Sequence, residues 1–145
     1  MKTLNKTARR TILAVVALAI LALTVGLTAR DKADTNTPLV SDKGERMEYL
    51  RQLGWETDAD SEQRQEILLP REFDAVLTRY NELQKQQGFD LADYAGLNAT
   101  LYSYRVTNWP EQNLTVIAEL YVAKGRVIGG DVHSTALDGF MIGLQ

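Results

Sequence analysis

The chain has 145 residues, 45% of them hydrophobic and 24% charged, which fits one globular domain and argues against wholesale disorder. Its formal net charge of −3 hides a split: residues 1–30 carry five bases and no acid, whereas residues 31–145 carry 11 bases and 19 acids, a net of −8. The acidic part argues against nucleic-acid binding, and the absence of cysteine excludes disulfides and thiolate chemistry.

Residues 11–29 form an uncharged run of 19 residues that follows four basic side chains. As a helix, this run would span roughly 28 Å, close to the ~30 Å hydrocarbon core of a bilayer. We predict a cytoplasmic stub at 1–10, an uncleaved transmembrane helix (signal anchor) at 11–29 and the remaining chain outside a cell membrane. A cleaved signal peptide, against which Leu27 at the −3 position argues, and a buried soluble helix are the alternatives.

Residues 30–43 are polar and predict a linker to an extracytoplasmic domain at 44–145. Three apolar residues at helical spacing then predict a short amphipathic helix: Met47, Leu50 and Leu53. Gly54 is well placed to end this helix, because glycine readily adopts the left-handed conformation that follows a helix.

Residues 57–65 predict an exposed loop, and residues 66–69 predict a short strand that stops at Pro70. The next segment, 71–87, predicts an amphipathic helix that ends at Gly88. Its predicted buried stripe comprises Phe73, Val76, Leu77, Tyr80, Leu83 and Gln87.

A connector follows whose apolar residues are expected to hold it on the core: Phe89, Leu91 and Tyr94. Three strands are predicted at 100–106, 114–123 and 126–133, with Lys124 and Gly125 as a two-residue hairpin turn. We therefore predict an α+β domain, cystatin-like in broad plan, with the 71–87 helix packed on an antiparallel sheet of three to four strands.

The glycine pair in residues 127–131 admits two interpretations. A phosphate-binding loop would need the glycines to open a helix, whereas strand residues flank them on both sides. We therefore favour a β-bulge or a close approach of two backbones at Gly129 and Gly130.

His133 is the only histidine, and Asp131 and Asp138 could join it in a metal or acid–base cluster. Ser134 is adjacent to His133 and would point to the opposite face of a strand. The alternating acids of residues 58–62 lack the glycine and glutamate of a calcium loop. We favour the interpretation that these are polar residues of a solvated loop or of the end of a strand. We therefore assign no catalytic, cofactor or metal residue.

The aromatic side chains offer a different kind of site. Core packing is the common role of such residues, but an aromatic surface can also anchor a ligand or partner. The candidate ligand or partner surface comprises Tyr80, Tyr94, Tyr102, Tyr104, Trp109, Asp131 and His133.

Several strings resemble an uncharacterised bacterial family, the domain of unknown function 4830, found mainly in Firmicutes. They are EYLRQLGW (48–55), YNELQKQQGFDLADYAG (80–96), YRVTNWP (104–110) and GRVIGGDVHSTALDGFMIGL (125–144). The resemblance covers about residues 45–145 and implies an N-terminal membrane segment or signal before this domain. It implies no activity or cofactor, so it carries no functional residue over.

The expected function is a non-enzymatic binding or regulatory module at the bacterial cell surface. It would be tethered through residues 11–29 and would bind a cell-surface protein, a peptide or a cell-wall component, in the manner of the PepSY-type modules that it resembles. Two alternatives remain: a hydrolase that uses Asp131, His133 and Asp138, and a purely structural spacer.

Overall fold

The structure, a computed structural model, describes residues 37–145. The predicted stub, the predicted transmembrane helix at 11–29 and the first part of the predicted linker lie outside these residues. Within 37–145, no helix combines the length and the apolar composition that a bilayer span requires. Val40, in the stretch expected to be a linker, is buried, and its N–H donates to the Gly125 carbonyl over 2.7 Å.

The described residues form an α+β fold with two α-helices and a five-stranded antiparallel sheet, whose strands follow chain order. The helices are α1 (Lys43–Gln52) and α2 (Ala75–Gln86). The strands are β1 (Gln63–Leu68), β2 (Asn98–Arg105), β3 (Val116–Ala123), β4 (Arg126–Ser134) and β5 (Met141–Ile142). Short 3₁₀ helices lie at Ala59–Ser61 and Leu91–Tyr94. The α+β class is confirmed, while the predicted three to four strands fall short of the observed five.

The strand β1 corrects the expected loop. It begins at Gln63, inside the 57–65 segment, and pairs in register with β2 from Gln63 opposite Ser103 to Leu68 opposite Asn98. Its residues are mostly exposed and polar because β1 is an edge strand. Backbone hydrogen bonds to β2, rather than an apolar alternation, therefore define this strand, which is why the sequence pattern missed its first half.

The helix α2 begins four residues later than predicted, at Ala75 rather than residue 71. Asp74 caps it, because its carboxylate accepts a hydrogen bond of 2.8 Å from the Leu77 N–H. The predicted apolar stripe is wrong at Val76, which is 78% exposed. The helix instead buries Asn81 and Gln84, whose amides bond to backbone groups elsewhere in the fold.

Two apolar clusters lie on opposite faces of the sheet, because consecutive strand residues such as Leu120 and Tyr121 point to opposite sides. We call the side that carries Leu120 and the α1 residue Leu50 the α1 face. The side that carries Tyr121 and the α2 residue Tyr80 is the α2 face. Within residues 37–145 the α1 face holds the larger cluster.

The hairpin that joins β3 to β4 confirms the predicted two-residue turn. Lys124 and Gly125 both have positive φ values, 51° and 73°, as the favoured tight hairpin turn requires. The pairing register then shifts between Tyr121 and Val122, and Ile128 is the extra residue on β4. A β-bulge is therefore present before the glycine pair, as the favoured interpretation predicted.

Close backbone approach also accounts for Gly130. A Cβ atom at this position would lie 2.3 Å from the carbonyl oxygen of Glu119, far inside van der Waals contact. The amide and carbonyl of Gly130 are satisfied by two α2-side glutamines: its N–H donates to Gln84 over 2.8 Å, and its carbonyl accepts from Gln87 over 3.1 Å. The glycine pair is thus strand structure, not a phosphate loop.

Candidate functional site

A row of polar side chains crosses the sheet on the α2 face. Ser103 on β2 pairs with Glu119 on β3, and Glu119 pairs with Asp131 on β4. Residues directly opposite in antiparallel strands have Cβ atoms about 4.5–5.5 Å apart, so their side chains meet. His133 follows Asp131 by two residues and therefore shares this face.

Asp131 is the buried centre of the row, with 1% of its surface exposed. One carboxylate oxygen accepts a hydrogen bond of 2.5 Å from the Tyr80 hydroxyl, and the other lies 2.7 Å from Nδ1 of His133. A buried carboxylate needs such partners because loss of hydration is otherwise costly. Burial and the adjacent Asp131 raise the pKa of Tyr80, so this hydroxyl remains a donor.

Glu119 is half-buried beside Asp131 and accepts a hydrogen bond of 2.9 Å from the Ser103 hydroxyl. Burial raises the pKa of Glu119 and the nearby Asp131 raises it further, against the opposing effects of Ser103 and His133. Like charges on directly opposite strand residues are destabilising. The fold therefore places two carboxylates side by side. Among the basic side chains of residues 37–145, it is His133 that counters the pKa increase of Glu119.

Glu119, Asp131 and His133 each offer one ligand atom, and these atoms all lie within 4.8 Å of one another. Two carboxylate oxygens and one imidazole nitrogen can hold a cation. The Asp131–His133 hydrogen bond can also orient an imidazole for proton transfer. The arrangement thus has two chemical capacities, and both involve His133.

Two grooves flank this grouping, and Glu119 lines both of them. The polar groove has a volume of about 630 Å³ and includes Asp58, Asp60, Gln63, Arg105 and His133. The apolar groove has a volume of about 650 Å³, runs along α2 and includes Val76, Leu83, Tyr121 and Met141. Volumes in the range of about 300–1,000 Å³ are typical of ligand sites.

The structure divides the candidate ligand surface between the two faces of the sheet. Tyr80, Asp131 and His133 come together on the α2 face. Tyr94 packs against the smaller apolar cluster on the same side. The remaining three aromatics pack against the core of the α1 face: Tyr102, Tyr104 and Trp109.

The aromatics of the α1 face have structural partners. Tyr104 is fully buried; its hydroxyl donates to Glu62 and accepts a bond of 2.8 Å from Nε of Arg46. The Arg46 guanidinium lies 3.7 Å from the centre of the Tyr102 ring. Trp109 stacks on Phe140 with ring centres 4.5 Å apart.

The other residues that the sequence analysis considered as candidates lie apart from Glu119, Asp131 and His133. Asp138 is exposed and is not one of the three clustered ligand residues. Ser134 pairs with Val116 and is buried, on the face opposite His133 as predicted. Asp58 caps a 3₁₀ helix and pairs with Arg105, whereas Glu62 pairs with Arg46, so the alternating acids form no common site.

Sequence reasoning missed Glu119 and Ser103. A signal was present, since Glu119 is the one charged residue in the strand VIAELYVA, and charged residues are seldom placed among apolar neighbours unless paired. The strand pattern alone, however, does not say which residue of the next strand lies opposite Glu119.

Fold and site together define an α+β domain that presents a Glu–Asp–His grouping on one face of an antiparallel sheet. The chain belongs to the family described as Domain of unknown function (DUF4830), whose profile matches residues 49–132, more than half of the chain. The matched segment contains Glu119 and Asp131 and ends one residue before His133. No curated protein and no solved structure matches the chain.

Proposed function

We propose that this protein is a membrane-tethered extracytoplasmic module that binds a positively charged ligand group on its α2 face and catalyses no reaction. The tether would be residues 11–29, whose uncharged length and preceding bases support an N-terminal anchor. The ligand would be a cell-surface protein, a peptide or a cell-wall component. Its binding would regulate or recruit that partner at the surface of a bacterial cell.

The observation that carries this proposal is the pair of facing carboxylates, Glu119 and Asp131, between two grooves. A cationic group in this place would relieve the repulsion between them. The apolar groove beside Tyr121 and Met141 would accept the uncharged part of the ligand. Residues 37–145 contain ten Lys and Arg against 17 Asp and Glu, which also favours a positively charged ligand.

The hydrolase alternative retains one supporting observation, the 2.7 Å contact between His133 and Asp131. Its third residue, Asp138, is exposed and separate. The Ser103 hydroxyl donates to Glu119, and the Tyr80 hydroxyl donates to Asp131. A base-activated nucleophile would need its hydroxyl on the histidine, so the binding role is the better supported of the two.

Membrane topology can be tested through engineered cysteines, because the chain contains none. Single cysteines at Thr3 and at the exposed Gln52 would be treated in intact cells with a membrane-impermeant thiol reagent. The proposal expects labelling at Gln52 alone, and labelling at Thr3 only after the cells are opened. Equal protection of both positions would rule out the external domain, and loss of the Thr3 segment would show cleavage.

Ligand binding can be tested by photo-crosslinking in living cells. A photoreactive residue at Met141, which is exposed in the apolar groove, would be compared with one at Gln52 on the other side of the sheet. The proposal expects a discrete crosslinked product from Met141 only, and its loss in a Glu119→Gln background. Identical products from both positions, or products indifferent to Glu119, would contradict it.

A further inference from the structure

We propose that the cation bound by Glu119, Asp131 and His133 is a divalent transition-metal ion, with zinc the best match. This inference rests on the proposed function, because it names the chemical class of the positive charge that the α2 face binds. The three side chains supply two oxygen ligands and one nitrogen ligand. Nothing in the resemblance or in the family description assigns a metal to these residues.

The spacing of the ligand atoms fits one small cation. The three atoms lie within 4.8 Å of one another. A tetrahedral ion with bonds of about 2.0–2.2 Å places its ligand atoms roughly 3.4 Å apart. Side-chain rotations of the half-buried Glu119 and His133 would adjust these separations, and the hydrogen bond of 2.7 Å between Asp131 and His133 would open as the ion takes the place of its proton.

The surrounding hydrogen bonds resemble those that support metal ligands. The Tyr80 hydroxyl donates to Asp131 over 2.5 Å, and the Ser103 hydroxyl donates to Glu119 over 2.9 Å. Each donor engages a carboxylate that still has acceptor capacity for a cation. Such outer partners orient ligating carboxylates and are a regular feature of protein metal sites.

The charge distribution separates this grouping from the acids of the described residues that pair with arginine. Glu62 is paired with Arg46, Asp58 with Arg105, and Glu48 with Arg51. Glu119 and Asp131 instead face each other, and the charged groups that act on Glu119 are Asp131 and His133. Asp131 is buried and Glu119 is half-buried, and within residues 37–145 neither forms an ion pair with an arginine or a lysine, so a divalent cation would compensate their charge.

The donor set favours a transition metal over magnesium or calcium. Calcium takes six to eight oxygen ligands and magnesium prefers an all-oxygen octahedron, whereas imidazole nitrogen suits zinc and its neighbours. Three protein ligands leave a fourth position open, as in zinc sites that bind a further group. Glu119 and His133 both line the polar groove, through which water or a ligand atom from the partner would reach that position.

Titration of the full chain with zinc tests the inference. The chain would be purified in detergent through a tag without histidine, since His133 is then the only imidazole. We expect one zinc per chain, measured against a chromophoric chelator, and no displacement by millimolar Mg²⁺. Glu119→Gln and His133→Ala should each weaken zinc binding by at least about tenfold, because loss of even an outer partner of a ligand costs about 10–100-fold in metal affinity.

The matched control is Glu66→Gln, which removes an exposed carboxylate on β1 that bonds to Arg64 and Thr100. This variant should bind zinc as the wild type does, within twofold. Urea unfolding of each variant keeps a folding defect from being read as a lost ligand. Zinc affinity that is the same in all variants, or zinc that Mg²⁺ displaces, would overturn the inference.

Chelator added to the Met141 crosslinking assay separates this inference from the proposed function. Loss of the product on chelation and its return with zinc would support both. Crosslinking that survives chelation, with no zinc bound, would overturn the metal and leave a basic side chain as the cation. Zinc binding without any specific crosslink would support the metal and contradict the partner.

Discussion

Each face of the sheet carries a half-buried glutamate, and the two glutamates have opposite kinds of charged neighbour. On the α1 face, Glu62 accepts hydrogen bonds from Arg46 and Tyr104, and the guanidinium also covers the ring of Tyr102. On the α2 face, Glu119 faces a second carboxylate, Asp131. The first arrangement compensates its charge within the fold, whereas the second leaves negative charge in excess.

The pKa directions express the same difference. Burial raises the pKa of Glu62, but hydrogen bonds from Tyr104 and Arg46 outweigh it, and the net effect is a lowered pKa. Burial also raises the pKa of Glu119, where a single bond from Ser103 does not offset it. The α1 face is thus built for stability, and the α2 face retains a destabilising feature of the kind that binding sites carry.

The largest expected effect is on the α1 face. Arg46→Leu would remove both donors of the buried guanidinium and leave Glu62 and the Tyr104 hydroxyl without them. Removing one partner of a buried ion pair costs about 3–5 kcal/mol, and the partial exposure of Glu62 places this case near the lower end. Urea unfolding of the full chain, followed by tryptophan fluorescence, would measure the loss.

An unfolding free energy within about 0.5 kcal/mol of wild type, the range of ordinary surface changes, would contradict the stabilising role given to Arg46. The matched control is Arg51→Leu on the same helix, where both partners of the ion pair with Glu48 are largely exposed. Exposed ion pairs contribute little to stability because water and salt screen them, so this control should change little.

The next effect tests the close backbone approach at Gly130. Gly130→Ala would place a methyl group 2.3 Å from the Glu119 carbonyl and 2.6 Å from a methyl carbon of Leu144. Overpacking of this kind typically costs about 1–3 kcal/mol, and here the backbone must move as well. We expect lower stability together with weaker zinc binding.

The measurements are the urea midpoint and the zinc titration on one preparation. A matched control is Gly44→Ala on α1, where the nearest atom to a new Cβ is a side-chain oxygen of Asp42 at 3.3 Å. If Gly130→Ala kept both wild-type stability and wild-type zinc binding, the close approach at this glycine would have no functional consequence.

The third effect is a pH dependence on the α1 face. Because the folded state lowers the pKa of Glu62 below its usual 4.5, ionised Glu62 stabilises the fold above that pH. This contribution is lost as the pH falls from 4.5 through the lower, folded-state value. The stability difference between wild type and Glu62→Gln, about 1–2 kcal/mol near neutral pH, should therefore shrink towards pH 3.

Urea titrations of both proteins from pH 7 to pH 3 would measure this difference. A gap that stays constant, or that widens as the pH falls, would show that Glu62 does not have a lowered pKa in the folded chain. The same series on Glu66→Gln controls for general acid destabilisation, because Glu66 is exposed.

The sequence predicts much of this fold and little of its site. The site could not be predicted because it depends on the register of β4 against β3. The hairpin turn, the helix α1 and the alternation of β2 follow from local patterns. Continuing the pairing of Ala123 with Arg126 without a bulge would set Asp131 opposite Ala118, on the α1 face. The single extra residue, Ile128, moves Asp131 to the other face and opposite Glu119.

A glycine pair indicates that a bulge or close approach is present, but it does not say which residue is the extra one. The first half of the edge strand β1 was not predicted for a related reason. Its residues are polar, and it is their pairing with β2 that makes them a strand. Both errors concern register between strands, which depends on packing across the sheet rather than on local propensity.

The smallest expected effect has the opposite sign and is the sharpest test of the comparison. Glu119→Gln removes one of two facing carboxylates while keeping an amide oxygen that can accept from Ser103. We expect the metal-free protein to become more stable by about 0.2–1 kcal/mol, because the like-charge pair is gone. The same exchange at Glu62 should destabilise, so the two urea curves would move in opposite directions from wild type.

The stability gain of Glu119→Gln should appear only without a bound cation. In the wild type, a bound ion would already neutralise Glu119 and Asp131, and the substitution would remove one of the ligands of that ion. Unfolding in chelator and in excess zinc therefore gives a second contrast: zinc should stabilise the wild type more than it stabilises Glu119→Gln, by about 1.4 kcal/mol for tenfold weaker binding. If Glu119→Gln lowered stability in chelator as much as Glu62→Gln does, Glu119 would be a compensated structural residue. The two faces would then differ in position but not in kind.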